Sequence, residues 1–410
     1  MRPSFLKNIS AKPDHFLILD VGTTGIKAFV FDANFKIKTK TYRPLKTRRP
    51  KKDWVEQDPM EILRIAKGVL QEAAQASRVR LNYFAAFGLA NQRETVVAWD
   101  RVTGKPIYPA VVWEDRRGGG TTRALKGVKG IETLVKNKTG LLLDPYFSAT
   151  KIEWLLENVP LATKLLASNR LLVGTLDTWL LWNLCEGQPF LTDETNASRT
   201  LLFNIKKRVW DNELLNLFDI PKNILPKVFS SGAMFGFLKT ELIGARLPVL
   251  AVVGDQQAGA YAAGTKKGTT KVTYGTGAFL VQSLGNKFSL APGFFTTLLP
   301  TLNGCQIFAV EAKVENCAAV IEPVLNNPKK LKTVLTKIAH KVNIAIKKLP
   351  AKPKELVVDG GVARDGIIVS LQQKISNIPV RPQKVFDGTA LGVVELVSKV
   401  LKKKYVKKRR

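Results

Sequence analysis

Short polar tips at the ends of apolar runs are the parts of this sequence best suited to chemistry. In residues 16–33, FLILDVGTTGIKAFVFDA, one apolar run ends near Asp20, and Thr23 and Thr24 lie between two glycines before the next run begins. Backbone amides of a glycine-rich turn bind phosphate oxygens, and threonine hydroxyls add donors. A carboxylate at the end of a buried strand can hold Mg²⁺ through water. The segment therefore favours a phosphate-binding turn beside a metal-facing acid, although a tight hairpin would also select these glycines.

The same theme recurs later in the chain. Asp255 ends the apolar run of LPVLAVVGDQQAG, and glycine turns follow at 275–277 and 360–361. A carboxylate such as Asp255 can take a proton from a substrate hydroxyl, or it can simply cap the turn that follows. Arg93 and Glu94 form a charged pair at another polar tip. Such a pair suits vicinal hydroxyls, because guanidinium donates and carboxylate accepts hydrogen bonds, but a solvated surface pair would look the same.

Composition argues against several other kinds of site. Apolar residues make up 45% of the 410 residues, and no apolar run approaches the roughly 20 residues that span a bilayer. Residues 1–15 lack the apolar core of a secretory signal, so we expect a cytoplasmic protein. Cys185, Cys305 and Cys317 have neither the spacing of metal ligands nor that of a disulfide framework. With only two histidines in the chain, acid–base chemistry should fall to carboxylates.

The positive charge of the chain is large and is concentrated late. The formal charge is +31, residues 326–354 carry nine lysines and no acid, and KKKYVKKRR closes the sequence. Lysines on solvated faces would account for this charge. Attraction of phosphorylated substrates, nucleic acid or anionic surfaces is the functional alternative. No aromatic-interleaved RNA-binding module accompanies the lysines, so nucleic-acid binding is only a secondary alternative.

Apolar periodicity predicts alternating strands and helices. Helical spacing runs through residues 59–76, and residues 326–354 predict one amphipathic helix with lysines on its outer face. The strands on either side of each Gly-Thr turn must be antiparallel, because the turn is too short for a helical crossover. Such interleaving implies layered α/β structure. One Gly-Thr hairpin lies in each half of the chain. This suggests two related halves that face a cleft, with the boundary between them near residue 250.

The motifs, taken in order, resemble those of the FGGY carbohydrate kinases. The resemblance runs from about residue 16 to 397 and is carried by LDVGTTGIKAFVFD, GLANQRETVVAWDRVTGKPIYPAVVWEDRR, LDPYFSATKIEWLLENV, VGTLDTWLLWNL, LTDETNASRTLLFNI, VVGDQQAGAYAAG, KVTYGTGAFLV and VVDGGVARDG. It implies an α/β fold with two actin-like (ribonuclease H-like) ATPase domains around a central cleft. The implied domains are residues 14–250 and 251–398, followed by a basic tail at 399–410.

Within that family, NQRET, DPYFSATK and TDETNASRTLLFNI are most similar to members that phosphorylate glycerol. The resemblance therefore implies ATP-dependent conversion of glycerol to sn-glycerol 3-phosphate, with Asp255 as the general base. It implies a set of side chains that contact glycerol, namely Arg93, Glu94, Trp113, Tyr146, Asp255, Gln256 and Phe279. The polar members would hydrogen-bond the hydroxyls, and the aromatic rings of Trp113 and Phe279 would pack on the carbon backbone.

The resemblance also implies a nucleotide site. The residues expected to meet the phosphates or flank the nucleotide are Thr23, Thr24, Lys27, Thr276, Ala318, Gly361 and Asp365. Asp20 would hold Mg²⁺ through water. The family resemblance also allows a homo-oligomer.

Departures from the family pattern lie on this nucleotide side. Lys27 stands where the family has arginine, and lysine supplies positive charge without a bidentate fork. Glu322 and Pro323 replace a Gln-Trp pair, Ala318 replaces a glycine, and Asp365 replaces an asparagine. Pro323 should interrupt its helix. The chain that follows is markedly shorter than in the family.

Two other functions stay open. The first is a kinase for another small polyol or sugar, which the retained Arg93, Glu94 and Tyr146 disfavour. The second is a weakened, kinase-like scaffold that binds a ligand, nucleic acid or a partner through its basic C-terminal half. The shortened second half favours that scaffold, and the retained set of Asp20, Asp255 and Thr276 disfavours it.

Overall fold

A computed structural model of the chain describes residues 13–275, 277–302, 304–315, 317–383 and 385–407. In chain order, its strands are β1 His15–Val21, β2 Gly25–Phe31, β3 Ile37–Pro44, β4 Glu56–Gln57, β5 Phe84–Asn91, β6 Val96–Asp100, β7 Ala110–Val111, β8 Leu171–Thr175, β9 Leu191–Asp193, β10 Phe203–Asn204, β11 Val209–Trp210, β12 Lys227–Phe229, β13 Gly236–Phe237, β14 Pro248–Gly254, β15 Thr270–Tyr274, β16 Ala278–Gly285, β17 Phe295–Leu298, β18 Phe308–Glu315, β19 Leu356–Asp359 and β20 Val380–Pro382.

The α-helices lie between and after these strands. In chain order they are α1 Pro59–Ala76, α2 Gly119–Lys126, α3 Ile131–Thr139, α4 Ala149–Asn158, α5 Pro160–Ala167, α6 Leu176–Leu184, α7 Glu194–Ala197, α8 Asn212–Leu217, α9 Asp255–Ala263, α10 Cys317–Ile321, α11 Pro328–Lys347, α12 Ile367–Ser376 and α13 Gly388–Lys407. No helix among the described residues is both long and apolar enough to cross a membrane.

Two six-stranded sheets form the centre of the molecule and share one topology over five strands, while the sixth strands, β13 and β17, lie at opposite ends. The first has the order β13-β14-β5-β1-β2-β3, and the second has the order β17-β18-β16-β15-β19-β20. In the first sheet β1 is antiparallel to β2 and parallel to β5. In the second, β15 is antiparallel to β16 and parallel to β19 in the same way. The two antiparallel Gly-Thr hairpins predicted from the sequence, one per half, are therefore confirmed, as is the α/β fold class.

Alternating side chains of β1 supply two apolar layers, because successive residues of a strand point to opposite faces. Leu17 and Leu19 pack on the side of α1 and α6. Phe16 and Ile18 pack on the side of α9 and α13. The last helix therefore returns to the first sheet. It meets α9 so closely that a Cβ at Gly392 would lie 1.9 Å from the carbonyl oxygen of Ala258.

A smaller sheet, β4-β7-β6-β8, extends from the first half. It packs with α3, α4 and α5 around an apolar cluster that contains Val96, Val135 and Leu155. The loop after β7 carries Trp113, and the loop before α4 carries Tyr146. This part of the molecule therefore positions two of the aromatic residues predicted for the acceptor.

Several predicted helices have the expected positions, and one is shorter. Helix α1 has the predicted bounds of 59–76, and the Asp58 side chain accepts from the backbone N–H groups of Met60 and Glu61. The predicted helix at 326–354 is observed as α11, whose first turn is capped by the Asn327 side chain. It ends at Lys347, ahead of Pro350 and the strand that follows, because a proline disfavours the helical conformation in the residue before it.

Residues around Pro323 behave as predicted. Helix α10 ends at Ile321, and Glu322–Val324 forms a 3₁₀-helix instead of a further α-turn. Residues 399–407, predicted as part of a basic tail, continue α13, and residues 408–410 lie outside the described part of the chain. The division into domains at residue 250 stays a prediction.

Candidate active site

Three parallel strands of the first sheet bring the predicted chemical groups to one edge. Strand β5 lies between β1 and β14 and is parallel to both. The residues that follow these strands therefore meet at the carboxyl edge of the sheet, where open α/β sheets bind ligands. Thr23 follows β1, Arg93 follows β5 and Asp255 follows β14. Gly254 permits the close approach, because a Cβ there would lie 2.7 Å from carbons of the Arg93 side chain.

These residues enclose a small cavity of about 60 Å³. Its lining contains all seven side chains predicted to contact the acceptor, namely Arg93, Glu94, Trp113, Tyr146, Asp255, Gln256 and Phe279. Two further residues, Thr23 and Gln92, complete the lining. Pockets for drug-sized ligands measure about 300–1,000 Å³. The cavity therefore suits a molecule of a few heavy atoms that offers several hydroxyl groups.

A buried ion network fixes the polar wall of the cavity. The guanidinium of Arg93 donates to both carboxylate oxygens of Glu311, at 2.7 and 2.8 Å. Arg199 donates from Nε to Glu94 at 2.6 Å, and its Nη2 lies 3.5 Å from Glu311. All four side chains are at most 3% exposed. Burial disfavours the charged form of Glu311, yet Arg199 and Arg93 lower its pKa to about 2.

The network leaves some buried donors for a ligand. Nε of Arg93 and both Nη groups of Arg199 make no hydrogen bond within the described residues. Nε of Arg93 lies 3.3 Å from the Asp255 carboxylate, close to the cavity. Buried polar groups are nearly always paired in proteins. Arg93 lines the cavity, so its Nε group is available to a ligand oxygen there, whereas the guanidinium of Arg199 lies over the rings of Tyr146, Phe147 and Phe295.

Asp255 has the properties of a base at neutral pH. Burial raises the pKa of its carboxyl group to about 6, and the neighbouring charge of Arg93 opposes this rise while that of Asp20 adds to it. The Oδ1 atom accepts a hydrogen bond from the backbone N–H of Gln256, which fixes the carboxylate at the start of α9. A group with a pKa slightly below 7 is ionised at neutral pH and still binds a proton well enough to act as a general base.

Aromatic rings form the apolar wall. Trp113 and Tyr146 meet edge to face, with ring centroids 5.6 Å apart. The indole N–H of Trp113 donates to the Thr23 hydroxyl at 2.8 Å, and that hydroxyl donates to Gln92 at 3.0 Å. The hydroxyl of Thr23 is therefore used in holding the acceptor wall, so a phosphate at this turn would meet its backbone amide.

The first turn also carries charged groups predicted for the nucleotide side. The ammonium of Lys27 lies 3.6 Å from Asp20 and 3.7 Å from Asp387. Lys40 donates to both oxygens of Asp387 at 2.8 and 2.9 Å. Burial raises the pKa of Asp20, and the charge of Lys27 opposes that rise. Two carboxylates and two ammonium groups therefore lie together beside the glycine turn.

The third glycine turn lies next to the second. Gly360 has a φ of +97°, and a Cβ there would lie 2.2 Å from the carbonyl oxygen of Tyr274, so only glycine fits. Gly361 and Asp365 are exposed beyond it, and Asp365 accepts from the backbone N–H of Ile367 at the start of α12. Arg364 lies 3.9 Å from Asp387, which connects this turn to the first.

The remaining predicted nucleotide residues are less closely grouped. Thr24 is exposed and lines a cleft of about 810 Å³ that shares Trp113, Tyr146 and Phe279 with the smaller cavity. Ala318 lies in α10. Thr276, the predicted phosphate contact of the second turn, lies outside the described residues. The structure thus joins the acceptor residues in one cavity and, of the predicted nucleotide residues, places Thr24 in the lining of the larger cleft.

Three charged residues of the site were missed from the sequence, namely Arg199, Glu311 and Asp387. One signal was available for Glu311. It interrupts the apolar run FAVEAKV in the middle of a strand, and a carboxylate that is buried there needs a cationic partner. Asp387 offered no comparable signal, because it follows a loop with no periodic pattern.

Comparison with known proteins supports the family resemblance. The model of the FGGY family of carbohydrate kinases, N-terminal domain, matches residues 15–262. Glycerol kinase from Alcanivorax borkumensis is 45% identical over 309 residues, which are 75% of this chain and 62% of that protein. The chain thus spans less than two thirds of this relative. Glycerol kinase from Brachyspira hyodysenteriae is 34% identical over 93% of this chain and 89% of its own length.

Solved structures agree with the sequence relatives. Glycerol kinase from Plasmodium falciparum with ADP superposes with a TM-score of 0.86 at 26% identity, over 94% of this chain and 90% of that one. A ligand-bound xylulose kinase from Lactobacillus acidophilus superposes with a TM-score of 0.81 at 17% identity, over 95% and 89%, and shows the shared fold. The expected two-domain, actin-like class is thereby confirmed. The chain belongs to the FGGY family of carbohydrate kinases.

Proposed function

We propose that this protein transfers the γ-phosphoryl group of ATP to glycerol and forms sn-glycerol 3-phosphate. The observation that carries the proposal is the cavity of about 60 Å³, whose lining includes all seven residues predicted for the acceptor. The similarity to glycerol kinases over most of the chain supports the same acceptor.

The acceptor would lie between the polar and the aromatic walls. Arg93 and Glu94 offer a donor and an acceptor side by side, which suits two neighbouring hydroxyl groups. The Arg93 Nε group makes no hydrogen bond among the described residues and faces Asp255. Trp113 and Phe279 would cover the carbon backbone. The small volume of the cavity favours a triol over a larger sugar.

Asp255 would act on the hydroxyl that attacks. As that oxygen bonds to the γ-phosphorus, its proton passes to the Asp255 carboxylate, and the bond from the γ-phosphorus to the bridging oxygen breaks to release ADP. Such transition states are loose, so catalysis depends on positioning and on the stabilisation of charge. The pKa of about 6 leaves Asp255 ionised before the reaction and able to hold the proton afterwards.

The nucleotide phosphates would be held by the glycine turns, with Thr23, Thr24, Lys27, Thr276, Ala318, Gly361 and Asp365 as the proposed contacts. No group of three or more metal-ligating side chains occurs in the described part of the chain. Mg²⁺ in phosphoryl-transfer sites is commonly held by one or two carboxylates together with waters and phosphates, and buried Asp20 fits this role through water. When bound, the metal would neutralise charge on the phosphates.

We also propose a cytoplasmic location and two domains. Intracellular compartments keep thiols reduced, and the three cysteines of the chain form no disulfide in the structure. The repeated sheet topology supports a first domain at 14–250 and a second at 251–398.

An acceptor panel with ATP tests the proposed function. The purified protein is assayed with glycerol, xylulose, ribulose and gluconate at equal concentrations, with ADP release as the readout. We expect glycerol to give the highest kcat/KM. Faster turnover of one of the other acceptors would select the second kinase function. Phosphorylation of none of them, together with salt-dependent RNA binding, would select the scaffold.

A further inference from the structure

A buried lysine lies directly behind the acceptor-binding loop. Lys151 is 0% exposed and belongs to the first turn of α4. Its ammonium donates to the backbone carbonyls of Pro145, Tyr146 and Phe147, at 2.8, 2.6 and 3.1 Å. The three carbonyls belong to three successive residues, and the middle one is the tyrosine that lines the acceptor cavity.

The position of Lys151 follows from helix geometry. Side chains of an α-helix tilt towards its N-terminus, so a long side chain in the first turn reaches back over the preceding loop. That location is costly for a cation, because the N-terminal end of a helix carries partial positive charge. Burial adds to the cost. The three carbonyls and nearby carboxylates must offset both.

The electrostatics agree with this geometry. Burial lowers the pKa of Lys151 to about 7, while the carboxylates of Glu94, Asp115 and Asp144 oppose the decrease and the charge of Arg116 adds to it. These carboxylates therefore favour the ammonium form of Lys151 against the cost of burial.

The rest of the loop depends on the same arrangement. The Asp144 side chain accepts from the backbone N–H of Tyr146, and the Ser148 hydroxyl donates to the carbonyl of Glu94. The Tyr146 ring in turn contacts the rings of Trp113 and Phe147. Removal of the ammonium would leave one buried and two part-buried carbonyls without their shared donor, and the loop would reorganise to reach other donors.

We propose that Lys151 is a positioning residue for acceptor binding, which holds the Pro145–Phe147 backbone so that the Tyr146 side chain faces the cavity. This inference rests on the proposed function, in which Tyr146 hydrogen-bonds the acceptor. Lys151 itself does not contact the acceptor and acts through the tyrosine alone.

A double-mutant cycle on the full chain tests the inference, with the variants Lys151→Met, Tyr146→Phe and both together. We expect each single variant to raise the KM for glycerol about tenfold, the loss expected for one hydrogen bond. The double variant should show about the same tenfold rise, because the second change removes nothing further. The kcat and the KM for ATP should change less than about twofold, since uniform binding affects KM alone.

Two further variants separate positioning from stability. Lys151→Arg retains a cation and should recover most of the affinity for glycerol. Lys138→Met removes a partly buried lysine of α3, which pairs with Asp211 and Glu213 and lies away from the cavity. It should lower the melting temperature and leave the KM for glycerol as in wild type. A multiplicative, roughly hundredfold rise in the double variant, or a normal KM in folded Lys151→Met, would overturn the inference.

Hydrogen exchange of the ligand-free protein supplies a readout that does not depend on the substrate. We expect the amides of residues 146–149 to exchange at least about tenfold faster in Lys151→Met and at the wild-type rate in Lys138→Met. Unchanged exchange in Lys151→Met would refute the positioning role. If wild type phosphorylates no acceptor but this exchange pattern appears, the proposed function fails while the support of the loop by Lys151 stands.

Discussion

The acceptor side and the nucleotide side of the cleft are built differently. On the acceptor side, Arg93, Glu94, Arg199 and Glu311 are almost fully buried and fix one another through ion pairs. On the nucleotide side, the cationic groups are partly or largely exposed, with side-chain exposures of 34% for Lys27, 33% for Lys40 and 57% for Arg364, around the more buried carboxylates of Asp20 and Asp387. The first region has its geometry set before a ligand binds, and the second keeps freedom to adjust.

This difference has an energetic consequence. Buried ion pairs are costly to break singly, because the remaining charge loses its partner in a medium of low polarity. Exposed pairs contribute little, because water and salt screen them. We therefore expect substitutions of the acceptor side to change catalysis or folding strongly, and substitutions of the nucleotide side to change ATP binding by small factors.

The largest effect should follow from Asp255→Asn. The amide keeps the size of the side chain but cannot accept the proton, so kcat should fall by about 10²–10⁴-fold. Steady-state assays with glycerol and ATP measure this loss, and circular dichroism checks that the fold is intact. Asp53→Asn, at an exposed carboxylate that does not line the cavity, is the matched control and should keep kcat within about twofold of wild type. Substantial turnover by Asp255→Asn would show that another group is the base.

Glu311→Gln should have the next largest effect. It leaves Arg93 and Arg199 buried with one carboxylate fewer, and breaking such a network costs about 3–5 kcal/mol in the free energy of unfolding. Urea denaturation measures this free energy, and the KM for glycerol should rise because Arg93 loses its bidentate support. Glu322→Gln is the control on an exposed glutamate. Equal stability of the two variants would remove the distinction between the two sides.

The dependence of kcat/KM on pH should follow the ionisation of the Asp255 carboxylate, because the ionised form is the active one. Its pKa is raised to about 6, so kcat/KM should fall towards tenfold per unit below pH 6. The fold should persist over this range. The pKa of Glu311 is lowered to about 2 in the folded protein, and its stabilising contribution is present above its unfolded value and lost only as pH falls further. A flat profile down to pH 5 would contradict the assignment of Asp255.

Asp255, Arg93 and Glu94 could be singled out from local patterns, whereas the other acceptor residues were implied by the family resemblance. Asp255 and Arg93 directly follow apolar strands, and parallel strands bring such positions to one edge. Their partners were not predictable in this way. Glu311 pairs with Arg93 across 218 residues, and Asp387 pairs with Lys40 across 347. No local spacing encodes contacts of that range, which form only when the two sheets pack.

Element types were predicted better than element ends. The amphipathic pattern of residues 326–354 correctly indicated a helix, but periodicity alone does not mark where a helix stops. The start of α11 is set by a hydrogen bond to the Asn327 side chain. Its end lies ahead of Pro350, which restricts the preceding backbone through steric contacts. Similarly, the return of α13 to the first sheet depends on close contact at Gly392, which a one-dimensional pattern does not report.

The smallest effect should follow from Arg364→Gln. Its guanidinium lies 3.9 Å from Asp387, is largely exposed, and connects the first and third glycine turns. Because solvent screens this pair, the KM for ATP should rise by no more than about fivefold, and the KM for glycerol should not change. Arg381→Gln breaks another exposed pair, with Glu355, and should leave both values as in wild type. A change of a hundredfold in Arg364→Gln would mean that the nucleotide side is as firmly fixed as the acceptor side, because only a rigid, desolvated contact could transmit so large a loss.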